Sequence, residues 1–409
     1  MAKLAIKGGE PVREKPFPSW PIYGEDESKA LKEVLESGVW GIGGKKKIEF
    51  EKKFAEYHGV DYGIAVTSGT AALEVSLRAA NVPAGSKVLM PAYTFMATAI
   101  AAVYTNLIPE FVDIDPNTYT IDPSAIEEAL SDDVKAIVPV HIAGCPADMD
   151  RIKAISEKND LVVVEDACQA WGAEWNGRKV GSYGDFAAFS FQSSKNITSG
   201  EGGIILTNDR KLYEIAWSYH NCGRRPEGAW YEHFIPGSNY RMTEFQAAIL
   251  LVQLQRLPEQ SRIREERASY LTHLLSKVDG LTPLKRPEKV TKHAYHLYIM
   301  KYKKEAFGGL SRGEFIKAMN AEGVPCSSGY IPLYKAPALN ELKKIPFVPS
   351  DISSRVNYSN VYLPNTEKAC YEEAVWISQR VFLGTKEDME DIAAAVEKIK
   401  KNINELLQS

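Results

Sequence analysis

Cysteine is scarce in this 409-residue chain, with five residues, odd in number and scattered. No disulfide framework follows from that pattern, and a reducing cytoplasm fits it. His141, Cys145, Cys168, His220 and Cys222 can be drawn as metal ligands, yet none stands at CxxC or HxxxH spacing. Long apolar runs are missing. The opening "MAKLAIKGGEPVREKPFPSWP" holds no run of signal-peptide length, and nothing approaches a membrane span. An excess of one charge is missing too. The net charge is −4 and the pI about 6.1, which gives no footing for a nucleic-acid or anionic-membrane partner. There is no Walker lysine and no GxGxxG, so nucleoside triphosphate and dinucleotide sites lack their fingerprints. Internal repeats and low-complexity segments are absent.

What is present is 44% hydrophobic and 25% charged, the profile of a soluble globular protein. The length predicts more than one domain. Residues 1–24 carry several Pro and Gly and read as an extended arm. A helical pattern begins near Glu25. Between Lys87 and Asp209 short apolar runs recur: "KVLMPA", "IPEFVDI", "KAIVPVHIAG", "LVVVEDACQA", "FAAFSF" and "GGIILTN". Helical stretches such as 123–130 and 149–158 separate several of them. This alternation predicts an α/β fold with a mostly parallel sheet covered on both faces. Ligands of such sheets sit at the carboxyl ends of the strands. "TEFQAAILLVQLQRL" opens with a capping box, Thr243 and Gln246, and Pro258 is expected to start or kink a second helix. "AYHLYIMKY" alternates like a half-buried strand, and "SRGEFIKAMNAEG" carries the capping pair Ser311 and Glu314. The expected division is a large α/β domain over 25–255 and a smaller α+β domain over 256–409.

Three features carry chemistry. In "VTSGTAALEVSLRAA" the turn Ser68-Gly69-Thr70 leads straight into a helix. Backbone N–H groups and two hydroxyls there suit a phosphate, although an ordinary helix cap uses the same residues. In "LVVVEDACQA" four apolar residues deliver Glu165 and Asp166. A buried carboxylate must be paired, either by a neighbouring loop or by a cationic ligand. In "FSFQSSKNITSGEGG" an apolar strand delivers one lysine, Lys195, into a loop of Ser, Asn, Thr and Gly. A solvated loop lysine is the plain reading of that stretch alone. Together, an amine, an acid and a phosphate-suited helix start are the anchors of a pyridoxal phosphate site.

The motifs "TSGTAAL", "PAYTFMATA", "DID", "VHIAG", "EDACQAWGA", "FSFQSSKNITSGEGG", "GSNYRMTEFQAA" and "YIPLY" span nearly the whole chain. In them the sequence resembles the DegT/DnrJ/EryC1/StrS aminotransferases, pyridoxal-phosphate enzymes of the aspartate-aminotransferase-like fold type I. The resemblance implies a catalytic trio. Lys195 is the Schiff-base lysine, Asp166 the partner of the pyridine nitrogen, and Gln169 a neighbour of the phenolic oxygen. It implies that Phe95 stacks on the cofactor ring and that Ser68, Gly69, Thr70 and Ser190 hold the phosphate. Asn239 is implied to reach the phosphate of a neighbouring subunit's cofactor, in a homodimer with shared active sites. Arg241 is a candidate for the donor's carboxylate, a surface ion pair being its other reading. The opening "LAIKGGEPV" looks like the subgroup acting on cyclitol ketones.

Two departures bear on the substrate. Many nucleotide-sugar members place a histidine after the Pro-Leu of the late motif, whereas Tyr334 follows Pro332-Leu333 here and becomes the candidate substrate contact. Related dehydratases replace the lysine by histidine, and this chain keeps Lys195. The implied activity is amino transfer from glutamate or glutamine to a keto-sugar or keto-cyclitol. A scyllo-inosose-like ring ketone is favoured, with pyridoxamine phosphate as the aminated form of the cofactor. A nucleotide-linked keto-sugar acceptor and a dehydratase or lyase of the same family are the alternatives. The enzyme is expected in the cytoplasm.

Overall fold

The computed structural model describes residues 3–344 and 348–407. The strands in chain order are β1 (Tyr62–Val66), β2 (Lys87–Pro91), β3 (Ile108–Val112), β4 (Val134–Ile137) and β5 (Val162–Asp166). After the short β6 (Glu174–Trp175) and β7 (Arg178–Lys179) come β8 (Phe186–Ser190) and β9 (Gly203–Thr207). Seven of these form one sheet in the order β1-β9-β8-β5-β4-β2-β3. The pairs β3/β2, β2/β4, β4/β5 and β5/β8 are parallel, and β9 runs antiparallel to both its neighbours. All six apolar runs named above are strands of this sheet. β1 is not among them, because "YGIAV" is short and holds a Tyr and a Gly.

The sheet is covered on both faces, which is why its strands are apolar throughout. Alternation along β8 shows the division. Phe186 and Ala188 face one core, with Val66, Val88 and Val164, while Ala187 and Phe189 face another, with Phe50, Phe54 and Leu250. Helices α1 (Glu25–Ser37), α2 (Lys45–His58), α3 (Gly69–Ala79), α4 (Met96–Tyr104), α5 (Pro123–Glu128), α6 (Met149–Asn159) and α7 (Arg210–His220) belong to this half. The next helix differs from expectation. α8 (Glu244–Leu275) is one helix of 32 residues, about 48 Å long, with Pro258 inside it. The capping box forms: Thr243 Oγ1 accepts from Gln246 N, and Gln246 Oε1 accepts from Thr243 N. Pro258 removes one N–H from the ladder, but burial pins both halves. Ala247, Leu250 and Leu257 lie in the sheet's core, Ala268, Leu271 and Leu275 in a second one. The boundary between 255 and 256 therefore falls within a continuous element.

The second core lies under the antiparallel sheet β10-β12-β13, where β10 is Leu281–Pro283, β12 is Leu297–Tyr302 and β13 is Ala374–Ser378. The intervening β11 (Val290–Lys292) pairs instead with β6. Helix α9 (Arg312–Ala321) and the helix Lys386–Lys401 pack on it. Two segments cross between the halves. Leu4 and Phe17 of the arm are buried in this second core. Buried Glu322 ties the arm down by accepting from Ala5 N at 2.9 Å and Val12 N at 3.0 Å. In return, Leu333, Leu339, Ile352 and Tyr358 pack on the central sheet.

Candidate active site

The carboxyl ends of β5 and β8 meet the start of α3. Ser68 caps that helix, its Oγ accepting from Ala71 N at 3.1 Å. Gly69 is needed for closeness rather than for an unusual φ. A Cβ there would lie 2.7 Å from Ser190 Cβ and 2.9 Å from Cys168 Sγ. A Cβ on Gly203 would lie 2.3 Å from Ser68 O. Small residues thus bring a helix N-terminus, with its free N–H groups, over two strand ends.

The two acids after β5 have separate partners. Glu165 turns inward, where its Oε2 lies 3.0 Å from His141 Nε2. Ala147 N donates to His141 Nδ1, so Nε2 carries the proton and donates to Glu165. Burial would push Glu165 up, but His141 and the N–H groups of Gly181 and Gly184 hold it below its ordinary value. Asp166 turns the other way. Its Oδ2 accepts from Thr98 Oγ1 at 2.8 Å, and its Oδ1 from Cys168 N at 3.2 Å. Thr98 in turn sits 3.0 Å from Thr94 Oγ1.

Lys195 is half-buried in the loop after β8. Burial pushes its amine below the usual lysine range, against the opposing pull of Cys168 and Asp166. Gln169 is fixed at both ends. Its Oε1 accepts from Ala143 N at 2.8 Å, and its Nε2 donates to Tyr330 Oη at 3.0 Å.

Ser68, Gly69, Thr70, Phe95, Asp166, Gln169, Ser190 and Lys195 all line one cavity of about 520 Å³. Phe95 is 61% exposed on its wall, which excludes a core role for that ring. A hollow of about 580 Å³ elsewhere is bounded largely by lysines and glutamates, among which Lys301 and Lys368 already pair with Glu373.

Three expected residues are not on the cavity wall. Asn239 is exposed and bridges Asn221 through its backbone. Arg241 donates to Asn221 Oδ1 at 3.0 Å and to Cys222 Sγ at 3.3 Å, with no carboxylate partner among the described residues. Tyr334 needs correction. It is 1% exposed, and its hydroxyl donates to Glu367 at 2.8 Å and accepts from Leu363 N, so it is a core residue. Tyr330, four positions earlier in the same "YIPLY" motif, is the tyrosine on the wall. Thr98 and His296 also surround the site, the one bonded to Asp166 and the other on the cavity wall, and the motifs above give neither of them a role. Thr98 stands one helical turn after Thr94, a spacing that could have exposed it, whereas His296 is hidden inside a strand pattern.

The chain matches the profile of the DegT/DnrJ/EryC1/StrS aminotransferase family over residues 21–397. It belongs to that family. Membership makes it an aminotransferase of a pyridoxal-phosphate-dependent class and gives the architecture its name, fold type I. Among similar proteins is the L-glutamine:2-deoxy-scyllo-inosose aminotransferase of Streptoalloteichus tenebrarius, 36% identical over 98% of this chain and 99% of that one. A crystal structure of 3-amino-5-hydroxybenzoic acid synthase superposes with a TM-score of 0.84 at 34% identity, covering 94% of this chain and 100% of the other. NtdA of Bacillus subtilis, solved with bound cofactor PMP, gives 0.81 at 28% identity, covering 95% and 86%.

Proposed function

We propose that this aminotransferase holds pyridoxal phosphate in the cavity through Lys195 and moves an amino group from glutamine or glutamate to a cyclitol-type ring ketone. The observation that carries the reading is the convergence of Lys195, Asp166 and the Ser68–Thr70 helix start on one cavity. The residues fit the cofactor. Gly69, Thr70 and Ser190 leave a side-chain-poor cradle at a helix N-terminus for a phosphate. Phe95 offers an exposed flat face to a ring. Asp166 offers a held carboxylate to a ring nitrogen. Gln169 has one N–H left over after Tyr330 to donate to a phenolic oxygen.

When bound, the cofactor supplies a carbonyl carbon for amines and a protonated ring that accepts the electron pair released at the donor's α-carbon. Lys195 moves the proton from that carbon. Its lowered basicity raises the fraction of neutral amine available as a base near pH 7. The named acceptor of the Streptoalloteichus relative supports a scyllo-inosose-like substrate.

A homodimer with shared sites accounts for Asn239 and Arg241 lying outside their own chain's cavity. Nearby apolar surface supports it. Trp40 is 52% exposed beside the start of α8, where its carbonyl accepts from Glu244 N, and Ile42 is 53% exposed. All five cysteines are free thiols, which supports a reducing, cytoplasmic setting. No helix among the described residues is long and apolar enough to cross a membrane.

The deciding experiment loads the purified protein with pyridoxal phosphate, reduces it with borohydride and maps the labelled peptide. Label on Lys195, and loss of the yellow colour on adding glutamine or glutamate, are expected. Label on another lysine, or no chromophore, would falsify the reading. A panel of keto acceptors offered to the aminated form then ranks ring ketones against nucleotide-linked keto-sugars.

A further inference from the structure

The cavity has two walls. Asp166, Ser190 and Lys195 stand on the central-sheet side, and the proposed reaction uses them. His296, Tyr330 and Ser378 come from the C-terminal third, and the reaction as described gives His296 no task.

His296 precedes β12 and is 7% exposed. Its hydrogen bonding is determined by its neighbour. Asn196 Nδ2 donates to Ala294 O at 2.7 Å, so Asn196 Oδ1 is the atom that faces the imidazole. His296 Nδ1 lies 3.2 Å from that oxygen and therefore carries the proton and donates it. Nε2 is left with its lone pair. It has no hydrogen-bond partner among the described residues, and it is not among the buried unpartnered atoms, so it opens onto the cavity that His296 lines. Burial, with the cations of Lys195 and Arg264 nearby, holds the imidazole well below its ordinary value, so the lone pair persists at neutral pH.

A neutral acceptor on a wall it shares with Leu297, Tyr330, Trp376 and Ser378 calls for a donor on the ligand. Tyr330 supplies the complement. Its oxygen accepts from Gln169 Nε2, which leaves its own proton free to donate. A wall with one acceptor and one donor suits hydroxyls on a ring.

We propose that His296 Nε2 accepts a hydrogen bond from a ring hydroxyl of the amino acceptor and so selects polyhydroxylated ring ketones over bare ones. This deepens the proposed function and rests on it for the identity of the reaction.

The test uses the cofactor-loaded enzyme, wild type and the variants His296→Phe and His296→Gln. Glutamine or glutamate converts each to the aminated form, and return of the original absorbance is followed with 2-deoxy-scyllo-inosose and with cyclohexanone. His296→Phe is expected to lose about tenfold to a hundredfold in kcat/KM for the polyol ketone, the range for a lost hydrogen bond that leaves a polar group unpaired. Its donor half-reaction and its rate with cyclohexanone should stay within about twofold. His296→Gln, whose amide oxygen can accept, should fall less. Calorimetric binding of scyllo-inositol to the holoenzyme should weaken in parallel in His296→Phe. Equal losses on both ketones, a loss in the donor half, or an unchanged polyol preference overturns the assignment. No turnover but His296-dependent cyclitol binding faults the proposed reaction alone. Absence of that binding in the wild type overturns the role of His296.

Discussion

Thr98 Oγ1 donates to Asp166 Oδ2 at 2.8 Å, linking the first turn of α4 to the end of β5. With Cys168 N on the other oxygen, the carboxylate cannot rotate without giving up a partner. Thr98→Val keeps the shape and removes the donor. The donor half-reaction should slow about tenfold to 150-fold, corresponding to ~1.5–3 kcal/mol for one hydrogen bond to a charged group. Thr98→Ser should restore most of it. An unaltered rate and absorbance spectrum in Thr98→Val would remove Thr98 from the positioning of Asp166.

Asp166→Asn retains the volume of the side chain and discards its charge. Cofactor binding should persist, because the phosphate cradle and Lys195 are untouched. Transamination should drop by several orders of magnitude, each tenfold being about 1.4 kcal/mol. Rapid-mixing absorbance with glutamine reads the rate directly. Near-normal rates would mean that Asp166 does not face the ring nitrogen.

Subunit sharing has a complementation test. Lys195→Ala and Asn239→Ala chains are mixed under conditions that allow exchange. A mixed dimer then holds one doubly defective site and one intact site. Recovery should approach about half of the wild-type activity per mixed dimer, by two-fold symmetry. An impaired Asn239→Ala parent with verified mixed dimers and no recovery rejects sharing. A fully active Asn239→Ala parent rejects the phosphate role of that asparagine.

Acid should unfold this protein early. His58 is held neutral by burial, down to about 4, and His220 by burial and Lys47, down to about 3. His296 is shifted the same way. Each unfolded histidine gains a proton near pH 6.5 that the folded one refuses. Stability is therefore fully present above about pH 6.5 and is lost as pH falls from there towards the folded values, by about 1.4 kcal/mol per unit for each group. Urea midpoints between pH 7.5 and 5 should fall, and His58→Gln should flatten the slope. A pH-independent midpoint over that range contradicts the prediction.

The parts of the site that follow strand ends were legible in the sequence, because an apolar strand fixes where its last residue points. Asp166, the last residue of β5, is of that kind, whereas Lys195 lies five residues beyond β8 and stood out by its loop of Ser, Asn and Gly, and Ser190 by the family resemblance. The Ser68–Thr70 turn was legible through its hydroxyls and its glycine. Tyr334 misled because the late motif holds two tyrosines four apart, and only packing decides which one is sealed against Glu367. His296 was illegible, since the contact that sets its tautomer is made by Asn196, a hundred positions away. The single helix α8 defied the proline signal because each half is buried in a different core. The six apolar runs of the sheet, by contrast, needed no such distant partner.

Leu4 N donates to Glu405 Oε2 at 3.1 Å, across 401 positions of chain. During synthesis Leu4 and Phe17 leave the ribosome long before the helix Lys386–Lys401 that completes their core exists. The strands of the central sheet all lie between Tyr62 and Thr207, but the second core closes only when the arm meets the helix Lys386–Lys401. Closing the second core thus requires contacts between segments that lie far apart along the chain.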